Sequence, residues 1–278
     1  MKTRLLNFLF GCFTLLFSSQ AIAGGFPVRP RSLSIAPSVS YFFSKKGWDA
    51  NGVEKPFANG GKFQSLSYSI YTEYGLSRRF TLLAVLPYAM NTYQDNTGFS
   101  QKTNGFTDLE VGVRYYVANI NYLYYFTVQG TFIQPLYNNF NLGFQSQGAE
   151  IKLAFAGSGR MLGKNYYFTI ENGVRQYFGG AGPIQDRYSG TFGLTLDRRV
   201  KHQLSASIGG FYSASSLNTA FNPQVIGTNK DFSFNQASLS YGYSFSRNFS
   251  VFLTAGTFIT GRNTGNGSSG SVAFIIRP

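Results

Sequence analysis

Residues 108–117 read DLEVGVRYYV. Leu109, Val111, Val113, Tyr115 and Val117 alternate with Asp108, Glu110, Gly112 and Arg114, and a period of two puts the first set on one face of an extended strand and the second on the other. Carboxylates and a guanidinium in mid-strand would be very costly in the dry core of a sandwich. A hydrated lumen accommodates them, provided that the apolar set faces hydrocarbon and the strands close on one another so that no backbone polar group meets lipid unpaired. The same grammar extends in both directions. Residues 66–76, LSYSIYTEYGL, set Leu66, Tyr68, Ile70 and Tyr74 against Ser67, Ser69 and Glu73, and similar segments run at 149–156, 166–178, 188–196, 204–214, 237–245, 249–259 and 270–276.

The connections between these segments alternate in length. Those at 44–62, 92–104, 137–147, 179–187, 215–233 and 261–269 are long, and those at 77–79, 118–121, 157–164, 198–202 and 246–248 are short. A meander with all its tight turns at one end and all its long loops at the other is the pattern of an outer-membrane barrel, with turns in the periplasm and loops outside. The expected fold is therefore all-β: a transmembrane up-and-down antiparallel β-barrel of about twelve strands over residues 33–278, with no second domain. Tyr, present 19 times, gathers near the expected strand ends at Tyr41, Tyr74, Tyr88, Tyr122, Tyr166, Tyr188, Tyr212 and Tyr243, where amphipathic rings favour the headgroup layer. Pro37, Pro87 and Pro135 fall in or beside strands and remove ladder donors there.

Composition agrees. Of 278 residues only 13% are charged and 18% are aromatic, with 32 glycines and a mean hydropathy of −0.09. After the first residues no apolar run reaches the ~18 residues of a membrane helix, which excludes a helical bundle. The N-terminus carries Lys2 and Arg4, an apolar stretch from Leu5 to Phe17, and Ala21-Ile22-Ala23, the small-x-small pattern that a signal peptidase reads. We expect a signal peptide over residues 1–23, cleavage after Ala23, and a short periplasmic segment over 24–32. Cys12 is the only cysteine, so the exported chain has no disulfide, thiolate metal site or Cys nucleophile. The expected destination is the outer membrane of a Gram-negative bacterium.

Without Lys2 and Arg4 the net charge of +13 falls to +11. The bases do not gather with stacking aromatics as nucleic-acid contacts would require. Arg78, Arg79, Arg160, Lys164, Arg198, Arg199, Lys201 and Arg247 fall in the short turns, with Asp197 almost the only acid among them. Such a collar attracts anionic lipid heads or forms an anion funnel.

Two stretches resemble a known family. Residues 73–88, EYGLSRRFTLLAVLPY, and 104–117, NGFTDLEVGVRYYV, are similar to the paired signatures of an outer-membrane β-barrel family named for the meta-pathway of phenol degradation. The matching positions are Glu73, Gly75, Leu76, Leu86, Pro87 and Tyr88, then Gly105, Asp108, Leu109, Gly112, Arg114 and Tyr115. The chain departs at Ser77-Arg78-Arg79, where the family more often carries an acid. The resemblance implies a porin or transporter for small compounds, aromatic ones among them.

The same residues predict a lopsided lumen. Glu73, Asp108, Glu110, Arg114, Glu150, Lys152, Glu171 and Arg175 form a charged wall, either a bracing salt-bridge network or a selective constriction. Opposite them Ser189, Thr191, Thr195, Ser205, Ser207, Ser238, Ser240 and Ser244, with Gly193, Gly209 and Gly242, form a smooth hydroxyl-lined wall. The leading function is passage of small solutes, with outer-membrane lipids, lipopolysaccharide, the permeant and the barrel assembly machinery as partners. The alternative is a closed structural or adhesive barrel that binds ligands through loops 44–62, with Trp48, and 215–233, with Phe221. Lys45, Lys46, Lys55 and Lys62 would suit lipopolysaccharide phosphates. The final Phe274-Ile275-Ile276-Arg277-Pro278 lacks the terminal aromatic of assembly signals. We expect no enzyme: the single histidine, His202, lies in a short turn, and neither a nucleotide fingerprint nor metal-ligand spacing occurs. No cofactor is expected.

Overall fold

The computed structural model describes residues 25–179, 182–217, 219–224 and 228–278; the expected leader at 1–23 lies outside them. Fourteen strands follow in chain order: β1 (Leu33–Trp48), β2 (Glu54–Pro56), β3 (Lys62–Gly75), β4 (Phe80–Gln94), β5 (Ser100–Phe106), β6 (Asp108–Ile120), β7 (Tyr124–Pro135), β8 (Gly148–Met161), β9 (Lys164–Tyr177), β10 (Ile184–Thr195), β11 (His202–Ala214), β12 (Phe232–Ser244), β13 (Phe249–Arg262) and β14 (Thr264–Ile276). Each wall strand pairs antiparallel with its neighbours, and β14 returns to β1 from Ile35↔Ile276 to Trp48↔Thr264, which closes the sheet. The wall has twelve strands, because β2 is a short hairpin return on the top of β1 and β5 with β6 makes one interrupted strand. The interruption has a local cause. Pro87 has no N–H to donate, and Thr107 N instead donates to Pro87 O at 3.0 Å, so the register slips by one between Val85↔Glu110 and Tyr88↔Phe106.

The faces are inverted relative to a soluble protein. Val111, Val113, Ile151, Leu153, Ile170, Leu204, Ile208, Leu239 and Leu253 are exposed on the outside, Ile151 at 65%. Glu73, Arg114, Gln129, Glu150 and Arg175 are buried inside, each 7% exposed or less. Ring clusters stand on the outer face near the turn end: Phe80 on Tyr115 at 4.9 Å, Tyr166 on Phe192 at 6.0 Å, and the run Tyr243, Phe245, Phe249 and Phe274.

Several expected long loops are strand. Residues 261–269 form a tight reversal about Asn263, and within 92–104 only 95–99 lie between β4 and β5. The long wall strands hold 12–16 residues, more than the 9–11 or so that cross a bilayer. The ladder thus continues beyond the apolar band, where side-chain patterning no longer advertises it. Replacing Leu153 by Arg on the outer face should cost about 2–4 kcal/mol if it lies near the bilayer midplane, and far more than Leu153→Ala, as read from urea unfolding of the barrel in phospholipid vesicles.

Candidate functional site: a two-sided lumen

Side chains of even number on β6, β8 and β12, and of odd number on β7, β9, β10 and β11, point inward, and this parity assembles the charged wall. Near the loop end, Glu150 of β8 accepts from Arg175 Nε of β9 at 2.9 Å and from Arg187 Nη1 of β10 at 2.6 Å. Arg175 Nη2 donates to Glu110 of β6 at 2.5 Å. Asp108 accepts from the hydroxyls of Tyr137 and Tyr177 at 2.9 and 3.0 Å. One step down, Lys152 stands 3.6 Å from Glu171 and 3.8 Å from Glu150. Nearer the turn end Arg114 Nη1 donates to Glu73 at 2.7 Å, its Nε and Nη2 reach Gln129 Oε1, and Tyr71 OH closes on Glu73. All eight expected charged residues are therefore inside, in two groups: one at the loop end that the Lys152–Glu171 pair extends, and one about Arg114 and Glu73 nearer the turn end. Arg187 was absent from the expectation because 179–187 reads as a loop; it shares the parity of Ser189 and Thr191.

On the hydroxyl wall, Thr191 and Ser207 lie 2.8 Å apart, Ser240 meets the Thr254 hydroxyl, Ser244 meets Ser250 at 2.9 Å, and Thr195 Oγ1 accepts from Asn165 N at 3.0 Å. These hydroxyls partly satisfy one another across strands. Ser205 is buried, and Ser238 faces the same side from β12.

The upper lumen carries a ring cluster outside both expected walls. Phe42, Phe57, Phe63 and Tyr93 form a buried cluster that Phe221 and Phe258 extend, and Phe258 stacks on Phe234 at 4.4 Å. With Phe211 and Phe232 the phenyl rings of this group, though not Tyr93, line one side of a chamber of about 340 Å³, above Ser38, Ser40, Ser67, Ser69 and Ser271. Asp108, Glu110, Arg175, Arg187 and Gln185 line the other side. Extending the parity of Ser205 and Ser207 upward reaches Phe211, and that of Ser238 and Ser240 reaches Phe234, so the signal was present.

Both ends are partly covered. At the loop end, Leu142, Gly143 and Phe144 of the β7–β8 connection line the chamber, and Asn91 Nδ2 donates to Asn141 O at 3.1 Å. Trp48 and Phe221, which the alternative reading gave to outside ligands, instead turn inward: Trp48 is 7% exposed and stacks on Phe258, and Phe221 packs on Phe57. Burial of large apolar rings outweighs their display to water here. Asn263 holds this arrangement, accepting from Phe221 N at 2.6 Å and donating to Thr219 O and Asp231 O. Arg262 clasps Asp231 through both Nη atoms, at 2.8 and 2.9 Å, and holds that carboxyl below the usual range.

At the turn end, residues 25–32 run as a strap. Arg31 N donates to Gly75 O at 2.7 Å, and a Cβ on Gly75 would strike the carbonyl of Arg29. At the other end of the strap, Phe26 O accepts from Tyr116 OH at 2.6 Å, its ring meets Tyr125 edge-on at 5.8 Å, and Gly25 lies so close to Ala156 and Thr169 that a Cβ would not fit. From Gly75 on β3 to Ala156 on β8 and Thr169 on β9 is nearly halfway round the twelve-strand wall, so the strap crosses the mouth. His202 is not near the lumen chemistry. Its Nδ1 lies 2.7 Å from Tyr241 OH and its ring packs on Tyr243.

The fold compares as follows. The COG4313 outer membrane channel from Pseudomonas putida F1 is similar over 95% of this chain and 100% of its own, at 12% identity and a TM-score of 0.69. The translocator domain of the autotransporter NalP from Neisseria meningitidis (15% identity, TM-score 0.50) covers 92% of this chain and 91% of itself. The transport unit of the autotransporter AIDA-I from Escherichia coli (8% identity, TM-score 0.51) covers 94% and 93%. No protein-family profile and no curated protein sequence matches the chain. The chain therefore has the outer-membrane β-barrel fold, and its likeness to the phenol-degradation family rests on the quoted motifs alone.

Two outcomes test the site. Glu150→Gln removes the nearer of the two carboxylates that Arg175 and Arg187 share and leaves Glu110 alone between them; breaking a buried ion pair costs up to about 3–5 kcal/mol, read as a lower urea midpoint. For the Asp231–Arg262 clasp, a depressed carboxyl pKa contributes stability that is present above the ordinary Asp range and disappears as pH falls through the lowered value. Acidification should then shift the emission of Trp48, the single tryptophan, to the red, and Asp231→Asn should show the shifted emission already at neutral pH.

Proposed function

We propose that the protein is an outer-membrane channel for passive or facilitated passage of small solutes, with its turns and both chain ends in the periplasm and residues 1–23 removed on export. The observation that carries this reading is the chamber itself, roofed by phenyl rings and floored by serines on one side and lined by compensated charge on the other. Such a surface receives solutes with an apolar ring and a polar end, which extends the permeants to aromatic compounds. Because Arg175 and Arg187 are neutralised by Glu110 and Glu150, the chamber offers hydrogen bonds and ring contacts without a strong net field. The similar COG4313 protein is itself described as an outer membrane channel, which supports the reading. The role assigned to the strap is that of the narrow point on the periplasmic side.

In this reading the barrel is a conduit and not a catalyst. His202, the one imidazole, is occupied with Tyr241 and Tyr243, away from the chamber. Single-channel recording of the purified chain in a planar bilayer should give discrete conductance steps. Phe26→Ala combined with Tyr116→Phe, which releases the inner end of the strap, should raise the step size. Proteoliposome swelling should be faster with small ring-bearing solutes than with sugars of equal mass, and Phe234→Ser with Phe258→Ser should narrow that difference. A heat-modifiable, folded barrel that gives neither steps nor swelling, with or without the strap contacts, would favour the closed structural or adhesive barrel.

A further inference from the structure

The charges of the chain divide by location in a way that composition hides. Inside the lumen acids and bases nearly cancel, since Glu73, Glu110, Glu150 and Glu171 meet Arg114, Lys152, Arg175 and Arg187. At the loop end Lys46 pairs with Glu54, Lys55 with Asp49, and Arg262 with Asp231. Among the described residues the turns carry Asp197 as their only acidic side chain, and backbone N–H groups of Arg199 and His202 occupy its carboxylate. Against it stand the turn arginines and lysines, Arg277 at the chain terminus, and Arg29 and Arg31 on the strap. Nearly all of the positive excess is therefore on this one rim.

The rim sits directly below the outer ring clusters of Phe80 with Tyr115, Tyr166 with Phe192, and Phe245 with Phe249. Rings of this kind mark the headgroup layer. Arg78, Arg198, Arg199 and Arg247 are exposed there and take part in no ion pair of the described residues. A guanidinium presents a planar pair of donors that matches two oxygens of a phosphate.

We propose that this collar is a binding surface for the phosphates of anionic phospholipid in the membrane leaflet at the turn end. Arg78, Arg198, Arg199 and Arg247 are its principal contacts. The inference rests on the barrel spanning a bilayer, not on its conducting. The lumen charges are compensated internally and do not compete for the lipid.

The test uses the folded, leader-free chain reconstituted in phosphatidylcholine vesicles that contain spin-labelled phosphatidylglycerol or spin-labelled phosphatidylcholine, with the motionally restricted fraction of each label measured by electron paramagnetic resonance. The expected result is a several-fold preference for phosphatidylglycerol that declines with added salt. The preference should be lost in the variant Arg78→Gln/Arg198→Gln/Arg199→Gln/Arg247→Gln and kept in Lys45→Gln/Lys62→Gln, which removes charge from the other end. A heat-shift gel establishes that each variant is folded. Equal restriction of the two lipids by the unaltered chain overturns the proposal, as does a preference that survives the four Arg substitutions. If those substitutions change the ion selectivity of the conductance but leave the lipid preference intact, the collar serves the permeant and the proposal fails. No restricted component for either lipid rejects the bilayer-spanning barrel together with the collar.

Discussion

Hydrocarbon offers a peptide group no hydrogen-bond partner, and the rest of this structure follows from that constraint. Strands that cross such a medium must pair on both edges, so the chain has to return β14 to β1, as it does along an almost unbroken register. Once the sheet is closed, each strand has one face in the oil and one in a shared interior. A sequence that alternates Val, Ile and Leu with Ser, Thr, Glu and Arg can satisfy both only with the apolar set outward.

Closing twelve strands leaves an interior narrower than that of the large porins, and long side chains from facing walls then meet. Arg175 and Arg187 reach a common carboxylate across two adjacent strand pairs, while Arg175 also reaches β6, three strands away around the wall. The charged side thus braces the barrel. The opposite side cannot be braced in the same way, because its inward residues are small below and aromatic above. A chamber remains between the two, roofed by Phe221 and the inward-folded β7–β8 connection. The two caps have different origins. At the loop end ring burial draws the connections inward and Asn263 fixes them, whereas at the turn end the backbone of the strap fits because Gly25 and Gly75 carry no side chain.

Much of this was legible in the order of residues. The strand period, the closed barrel and the inward direction of Glu110, Arg114, Glu150 and Arg175 all follow from parity, whereas the lengths of the connections were legible only in part, since 92–104 and 261–269 are mostly strand. Beyond the apolar band the outer residues turn polar and the strand signal fades. Arg187 and Phe234 fall outside the expected strand segments for that reason, Phe211 lies within one but continues the hydroxyl wall as a ring, and Trp48 and Phe221 sit in loops that the alternative reading gave to outside ligands. The partners of each charge were not legible either, since Glu150 chooses Arg187 through a register between β8, β9 and β10 that no local pattern fixes. Nor was the strap: Gly25 to Ser32 has no period, and its course depends on contacts with Tyr116, Tyr125 and Ala156 far along the chain.

The orientation of the two faces is the claim to test first, and the absence of cysteine after Cys12 makes the chain convenient for labelling. Single nitroxide labels placed at Val113, Leu153 and Ile208, then at Ser207, Ser238 and Ser271, in vesicle-reconstituted protein would be compared for collision with lipid-soluble oxygen and with a water-soluble nickel chelate. The first three should relax readily with oxygen and the last three should be shielded from it. Oxygen accessibility at Ser207 and Ser238 with shielding at Val113 and Leu153 would contradict the inverted barrel and everything derived from it.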